Sequence, residues 1–299
     1  MFGLTKDWRS NSGRQREVSY EANTQMVKAL LDNKRDLTVR QLSQMTGISK
    51  STIHRIITEI LGMNKVSSYY VPKILSSGEK LARINAAKEF LDSYESSWAN
   101  LKHRFITCDE TWIVYDPATK FVNFEWRSAD EPRPVKPRLK ISGQKVMLSI
   151  FWHRKGVLVT DFLPKRTRFN GDYYCSILDR VSAVIKSQFK FDAQHPLYLI
   201  HDNARPHTAY KTAQKLAEIG LKVTKHPPYS PDISPSDYYL FRDLKNHLRY
   251  MPLSDREDAI AKTLEFLDSK SEPYYSRGID VLPERMRTII NNKGEYIVD

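Results

Sequence analysis

This 299-residue chain contains three aspartates, Asp109, Asp202 and Asp237, at positions where their carboxylates could bind a catalytic metal ion. Asp109 follows the apolar run 105–108, and Asp202 follows the apolar run 197–200, so each lies just beyond the carboxyl end of a predicted strand. Ligands bind at that edge in α/β sheets. Carboxylates crowded there repel one another unless a proton or a cation intervenes, and Mg²⁺ and Mn²⁺ prefer oxygen ligands. The pattern therefore predicts a divalent-metal site with room for two ions.

Asp237 ends a proline-punctuated loop, residues 229–237, which leads into a predicted helix over 238–248. That helix can return the third carboxylate to the sheet edge. A plainer interpretation stays open for all three aspartates, because aspartate is also a common turn residue at strand ends. Within the same loop, we expect Asp232 and Ser236 to serve as turn or cap residues.

Other polar residues lie beside these aspartates. His201 and His207 could bind a metal, but two histidines do not complete a zinc site, and we expect them to make structural hydrogen bonds. Glu110 follows Asp109 directly and should point to the opposite face of a continuing strand, so we rank it second to Asp109.

The segment that carries the aspartates begins with strand-like runs and ends with alternating helices and strands. Strands are predicted over 105–108, 112–115, 122–126, 146–152, 157–163, 197–200 and 221–224, and helices over 170–189 and 208–218. An antiparallel meander followed by a β-α-β unit predicts a mixed α/β sheet with flanking helices.

The apolar residues of the N-terminal segment are spaced differently from those of the strand-like segment. From residue 21 to 61, apolar residues recur at helical spacing in three short blocks, which predicts a three-helix unit. Gly47 can supply a turn with positive φ and Ser49 can cap the third helix, as in a helix-turn-helix. The third helix then presents the polar residues that we predict to contact DNA, which are Lys50, Ser51, Thr52 and Arg55. A structural three-helix domain with a solvated polar face is the alternative.

A basic tract, residues 13–16, precedes this unit. Its arginines, Arg14 and Arg16, could lie along a minor groove as part of an extended terminal arm.

The overall charge is consistent with a nucleic-acid partner. There are 47 Lys and Arg against 35 Asp and Glu, and the net charge is +12. The excess is confined to residues 1–75, with 12 basic against 6 acidic residues, and to residues 127–168, with 11 against 3. Segregated positive charge is typical of a polyanion-binding surface, although it can also serve solubility alone.

Composition also excludes several classes of protein. The two cysteines, Cys108 and Cys175, are isolated, so neither a disulfide framework nor a thiolate zinc cluster is expected. No run approaches the roughly 18 apolar residues of a membrane span, and the first 20 residues do not resemble a secretory signal. We therefore expect an intracellular protein without a membrane partner.

Four strings in this chain are more specific than any of these patterns. CDETWI at 108–113, HDNARPHTA at 201–209, YSPDISPSDYYLF at 229–241 and RGIDVLPERM at 277–286 resemble the signature blocks of mariner-type DNA transposases. The 34 residues between Asp202 and Asp237 match the spacing typical of that family, and the resemblance runs from about residue 13 to the end. It implies an RNase H-like catalytic domain whose metal ligands are Asp109, Asp202 and Asp237.

The resemblance also implies a function and partners. The helix-turn-helix would read terminal inverted repeats, and the catalytic domain would perform Mg²⁺-dependent strand cleavage and transfer into target DNA. The family acts as a dimer, in which a loop, here the basic, proline-rich residues 126–144, reaches the partner's linker. The linker motif Trp-Val-Pro-His-x-Leu stands here as Tyr70, Val71, Pro72 and three further residues, with two departures. A nuclear location follows from the family.

The implied domains are a basic arm at 1–20, a helix-turn-helix at 21–61, a linker at 62–77 and a catalytic domain at 78–299. Family members carry two helix-turn-helix units, and about 20 residues precede the one predicted here, so we expect an N-terminally shortened copy. Two other functions stay open. One is a truncated or domesticated DNA-binding protein without transposition activity, and the other is a general RNase H-like nuclease that cleaves without sequence preference.

Overall fold

The computed structural model describes residues 12–65, 71–115, 144–192, 194–249 and 251–297, with backbone alone for 12–19. The chain divides into two compact units, Met1–Tyr70 and Val71–Asp299. The division falls inside the predicted linker. Tyr70 and nearly all of the predicted loop 126–144 lie outside the described residues, so those two predictions are not addressed by the structure.

The first unit is helical. Its elements are α1 Ser12–Asn33, α2 Val39–Thr46, α3 Lys50–Arg55 and a π-helical turn, Ile56–Ile60. Apolar side chains from all of them form one buried core, namely Val27, Leu31, Leu42, Ile53 and Ile56. The prediction of an extended N-terminal arm is wrong for its second half. Arg14 and Arg16 belong to α1, because residues 12–19 contain no Pro that would stop the helix from continuing toward the N-terminus.

Capping residues define the turn between α2 and α3. Thr38 and Gln41 form a reciprocal capping box at the start of α2, and Gly47 ends that helix with φ of 73°. Ser49 caps α3 by accepting a hydrogen bond from the backbone N–H of Thr52 at 3.2 Å. Both turn residues that were predicted from sequence therefore occupy those positions.

A mixed sheet forms the centre of the second unit. Its strands are β1 Phe105–Val114, β2 Lys145–His153, β3 Gly156–Phe162, β4 Leu197–Ile200 and β5 Leu221–Val223. Among the described residues they pair in the order β3-β2-β1-β4-β5, antiparallel on the β2 and β3 side and parallel on the β4 and β5 side. The described residues therefore contain an antiparallel meander followed by a β-α-β unit, as predicted, while the predicted strand 122–126 lies outside them.

Helices cover both faces of this sheet. They are α4 Ser77–Tyr94, α5 Trp98–Leu101, α6 Gly171–Gln188, α7 Arg205–Thr208, α8 Tyr210–Ile219, α9 Arg242–Leu248, α10 Arg256–Asp268, α11 Glu272–Asp280 and α12 Leu282–Asn291. Alternate residues of β1 supply two separate cores, Phe105 and Ile113 on one face and Ile106 and Cys108 on the other. None of the helices in the described part of the chain combines the length and apolar character that a membrane crossing requires.

Two local predictions need correction. Asp109 lies within β1 rather than beyond its end, because β1 continues through its pairing with β2 as far as Val114. The predicted helix 208–218 is α8, which begins two residues later at Tyr210, since Ala209 has an extended backbone and separates it from the short helix α7.

Candidate active site

Asp109 and Asp202 lie level with each other at the centre of the sheet. In the parallel pairing of β1 with β4, Thr107 is opposite Ile200, and each aspartate comes two residues later. Asp237 lies in the first turn of a π-helical segment, Ser236–Phe241, which follows the loop carrying Ser234. The backbone N–H groups of Asp237 and Tyr238 both donate to the Ser234 carbonyl at 3.0 Å, which defines how this segment begins.

The carboxyl groups of Asp109 and Asp237 are in hydrogen-bond contact, although 127 residues separate them in the chain. Asp109 is 9% exposed, and burial followed by the proximity of Asp237 raises its pKa well above the ordinary value. Burial also raises the pKa of Asp237. Two carboxyls this close repel each other when both are charged, so a proton or a cation between them relieves the repulsion.

Asp202 is engaged differently. Its Oδ1 accepts hydrogen bonds from the Ala204 backbone N–H at 2.9 Å and from His207 Nδ1 at 2.7 Å. Burial opposes its ionisation, but these hydrogen bonds outweigh burial and lower its pKa. On the other side of the ring, His207 Nε2 lies 3.2 Å from Glu110 Oε2, close enough for an ion pair but without hydrogen-bond geometry among the described residues, so the imidazole lies between two carboxylates. Burial would lower the pKa of His207, and the two carboxylates raise it to about 10.

His201 stacks on this imidazole with ring centroids 4.9 Å apart. Burial, and then the charge of His207, lower the pKa of His201 to about 3, so its ring is neutral. The expected structural role of both histidines agrees with these contacts.

The donor set at this centre is suited to a hard cation. Asp109, Asp237 and Asp202 offer carboxylate oxygens, and Glu110 Oε1 is buried without a hydrogen-bond partner among the described residues. Within the described ranges, however, no three His, Cys, Asp or Glu side chains are close enough together to hold one ion. Two of the three aspartates are therefore brought together, while Asp202 is bonded to His207 instead.

A cavity of about 540 Å³ opens beside this centre. Asp202 and Asp237 both line it, together with Asn203, Tyr229 and Pro72. Pro72 was predicted to contact a partner subunit, and the structure places it in the wall of the cavity, while Val71 is half-buried. The predicted dimer contact of these two residues stays a prediction.

The predicted DNA-contacting residues of α3 have different surroundings. Lys50 and Ser51 are exposed, whereas the Thr52 hydroxyl shares a hydrogen bond of 2.8 Å with Ser49 and belongs to the helix cap. The Arg55 guanidinium donates to the Tyr20 hydroxyl at 2.9 Å and lies 3.4 Å from Glu59. Contact of these residues with DNA stays a prediction.

The contacts made by three residues in and near the site were not predicted from the sequence. Ser234 Oγ donates to Asp109 Oδ2 at 3.0 Å, and Ser236 Oγ accepts from the Trp152 indole at 3.0 Å. Asp232 was expected to be a turn residue, but its carboxylate forms a buried ion pair with Arg83 at 2.6 Å. The sequence feature that pointed to this loop was its high content of Ser and Asp in residues 230–237, but composition does not show which residues these side chains contact.

Two known families match parts of this chain, and neither match includes Asp109, Asp202 or Asp237. The family described as "Transposase (partial DDE domain)" matches residues 116–192, and the IclR helix-turn-helix domain matches residues 25–60. Both matches cover less than half of the chain.

Two curated proteins are similar over most of this chain. The histone-lysine N-methyltransferase SETMAR of Homo sapiens is 29% identical over 95% of the chain, which spans 40% of that protein. The Mariner Mos1 transposase of Drosophila mauritiana is 28% identical over 91% of the chain, which spans 78% of its length.

Solved structures of Mos1 share the fold. The Mos1 transposase paired-end complex with left transposon end has a TM-score of 0.75 at 26% identity, covering 92% of this chain and 80% of that one. The Mos1 catalytic domain with raltegravir and Mg has a TM-score of 0.61 at 28% identity, covering 76% of this chain and all of that one.

Proposed function

We propose that this chain is a mariner-type transposase, which binds the inverted-repeat ends of a transposon and performs cut-and-paste DNA cleavage and strand transfer. The observation that carries the proposal is the contact between Asp109 and Asp237, with Asp202 level with Asp109 and lining one cavity with Asp237. Such a carboxylate centre, in a chain that also contains a helix-turn-helix unit, is suited to metal-dependent chemistry on DNA.

Asp109, Asp202 and Asp237 would hold the divalent cations. When bound, a pair of Mg²⁺ or Mn²⁺ ions activates the attacking group and stabilises the leaving oxygen of an in-line phosphodiester displacement. The use of Mg²⁺ and the number of two ions are part of this proposal. They are supported by the oxygen-only donor set and by the Mos1 catalytic domain, which has been solved with Mg.

The side chains around the centre have separate tasks. Ser234 orients Asp109 through its hydroxyl, and His207 holds Asp202 through a hydrogen bond to its Oδ1. Glu110 lies against the other ring nitrogen of His207 and helps to keep the ring charged.

Double-stranded DNA is the proposed partner, both as transposon ends and as target. A homodimer is proposed because the comparison structure is a paired-end complex of Mos1. We also propose a nuclear location, where chromosomal DNA is found. A fluorescent fusion of the full chain tests it, and exclusion from the nucleus would contradict it.

A DNA-binding protein that does not cut is the second candidate. The bond between Asp202 and His207 favours it, because the three carboxylates are not assembled in this state. A cleavage assay separates the two functions, since a binder shifts the DNA without cutting it.

The test uses Asp202→Asn in the full chain and a duplex selected from a random pool by the unmodified protein. We expect Mg²⁺-dependent nicking to fall by on the order of 10²–10³-fold or more, because a ligand of the metal centre is lost. Binding in a mobility-shift assay should remain within about twofold, since phosphate and base contacts are unchanged.

Asp172→Asn is the matched control, because Asp172 is an exposed aspartate paired with Lys211 on the protein surface. It should cut normally. Undiminished cutting by Asp202→Asn would show that the active site is wrongly assigned.

A further inference from the structure

Arg83, in α4, is a fully buried charge that the proposed chemistry does not use. Its guanidinium donates five hydrogen bonds: to the Asp232 carboxylate at 2.8 and 2.6 Å, to Ser230 Oγ at 2.7 Å, and to the carbonyls of Gly294 and Glu295 at 2.9 and 3.3 Å. An arginine has five N–H donors, so each of them has an acceptor. Such a planar, fully bonded fork has one geometry, which lysine cannot reproduce.

Asp232 is held from a second direction. Its Oδ2 also accepts from the backbone N–H of Ile297 at 3.0 Å, and its carbonyl accepts from Arg285 Nε at 2.7 Å. The Tyr296 ring lies 4.8 Å from the Arg83 guanidinium. The segment 294–297 therefore closes over the ion pair and joins α4 to the loop that contains Asp232.

Gly294 shows how closely this segment approaches α4. Its φ is +83°, and a Cβ built at this position would lie 2.5 Å from the Lys80 backbone carbonyl. A side chain here would therefore have to displace backbone, so the position of the segment is tightly determined.

The loop that Arg83 and Asp232 hold leads directly to the active site. Two residues after Asp232, Ser234 donates to Asp109 and accepts from the Asp237 backbone N–H. Any displacement of Asp232 is therefore transmitted to two of the three proposed metal ligands. Buried ion pairs contribute little net stability after desolvation, so stability alone is a poor reason for this one.

We propose that Arg83 and Asp232 are positioning residues, which together with segment 294–297 set the distance between Asp109 and Asp237 for divalent-ion binding. This inference rests on the proposed function. Neither residue touches the ion or the DNA; they act through the loop 232–237.

Mn²⁺ binding to the DNA-free full chain, followed by electron paramagnetic resonance, tests the inference. In Asp232→Asn, the amide keeps the size of the carboxylate but offers one acceptor in place of two, so the fork of Arg83 is broken. We expect the half-saturating Mn²⁺ concentration to rise about tenfold or more, while mobility-shift binding to DNA is unchanged.

The matched control is Asp280→Asn. Asp280 also accepts two hydrogen bonds from an arginine, Arg154, at 2.5 and 2.9 Å, but Arg154 follows β2 at the end of the sheet away from the aspartates. Asp280→Asn should change the half-saturating Mn²⁺ concentration by no more than about twofold. The inference is overturned if the half-saturating Mn²⁺ concentration rises equally in both variants. It is also overturned if that concentration does not rise in Asp232→Asn that has folded.

Two further measurements cover the case in which Asp232→Asn does not fold. Arg83→Lys keeps a buried cation without the five-donor fork, and it should also weaken Mn²⁺ binding. In the unmodified protein, hydrogen exchange should report one shared opening for the amides of Asp237 and Ile297. Exchange of these two amides with opening constants that differ more than about tenfold would contradict the coupling.

These outcomes are distinguishable from failure of the proposed function. If the unmodified chain does not bind Mn²⁺, or if Asp202→Asn still cuts, the proposed function is wrong. If Asp202→Asn loses cleavage while Asp232→Asn binds Mn²⁺ normally, only the positioning role is wrong.

Discussion

At the scale of single residues, the proton on His207 determines how Asp202 is held. The imidazole contacts Asp202 and Glu110 at once, and it is 3% exposed. A divalent ion at Asp202 would compete with this protonated ring for the same carboxylate. The contact between His207 and Asp202 therefore stabilises the metal-free protein, and this stabilisation has a measurable dependence on pH.

The pKa of His207 is raised from 6.5 to about 10 in the folded protein, so the folded state binds this proton more tightly than the unfolded state. The resulting stability is complete below about pH 6.5 and is lost as the pH rises toward 10. We expect the free energy of unfolding, measured with urea in EDTA, to fall between pH 7 and pH 9. His207→Gln should reduce that fall by roughly 1–3 kcal/mol.

His195→Gln is the control for that series, because His195 is exposed and paired with exposed Asp192. In His195→Gln, the free energy of unfolding should fall between pH 7 and pH 9 by the same amount as in the unmodified protein. The same pH dependence in His207→Gln as in the unmodified protein would show that this ring does not hold the extra proton.

At the scale of elements, irregular turns place the functional groups. Asp237 lies in a π-helical turn, and a second such turn follows α3. Such turns are rare and are frequently found at functional sites. The turn between α2 and α3 depends on Gly47, whose φ of 73° is accessible to glycine at little cost.

Gly47→Ala should therefore destabilise the helix-turn-helix unit by about 1–2 kcal/mol, because an alanine there is forced into the left-handed region. Hydrogen exchange of the α2 and α3 amides in the full chain measures the change. Gly78→Ala is the control, since added methyl groups at both positions meet nothing within 4 Å.

Gly78 lies in the first turn of α4 without a positive φ, so its replacement should be neutral or stabilise by up to about 1 kcal/mol. Unchanged exchange in Gly47→Ala would show that the α2–α3 turn does not need glycine.

At the scale of the whole molecule, the net charge of +12 gives the chain a general attraction for DNA. Part of this attraction is expected from α3, where Lys50 is exposed at the first position of the helix and can contact a phosphate. A lysine that neutralises a phosphate releases about one counterion, and this makes affinity depend on salt.

Lys50→Ala should weaken binding uniformly across DNA sequences and reduce the magnitude of the slope of log K against log salt concentration by about 1. Fluorescence anisotropy over a range of salt concentrations measures both. Lys28→Ala, which removes an exposed lysine from α1 of the same unit, should leave the slope unchanged. An unaltered slope in Lys50→Ala would remove this residue from the DNA interface.

The mixed sheet and the helix-turn-helix were predictable from the sequence, and the three aspartates could be singled out there as candidate metal ligands. These features depend on patterns that are local in the chain: apolar periodicity, a glycine turn followed by a serine cap, and carboxylates after apolar runs. Periodicity could not show that β1 continues past Asp109, because strand length depends on the pairing partner.

Only the tertiary structure decided which polar groups bind one another. Asp202 could have faced Asp109, but the packing of α7 brings His207 to it. Arg83 and Asp232 are 149 positions apart, and the residues around each of them in the sequence do not predict the contact. Such pairs form because distant segments are packed together, and their bonding depends on distances and burial that one-dimensional patterns do not encode.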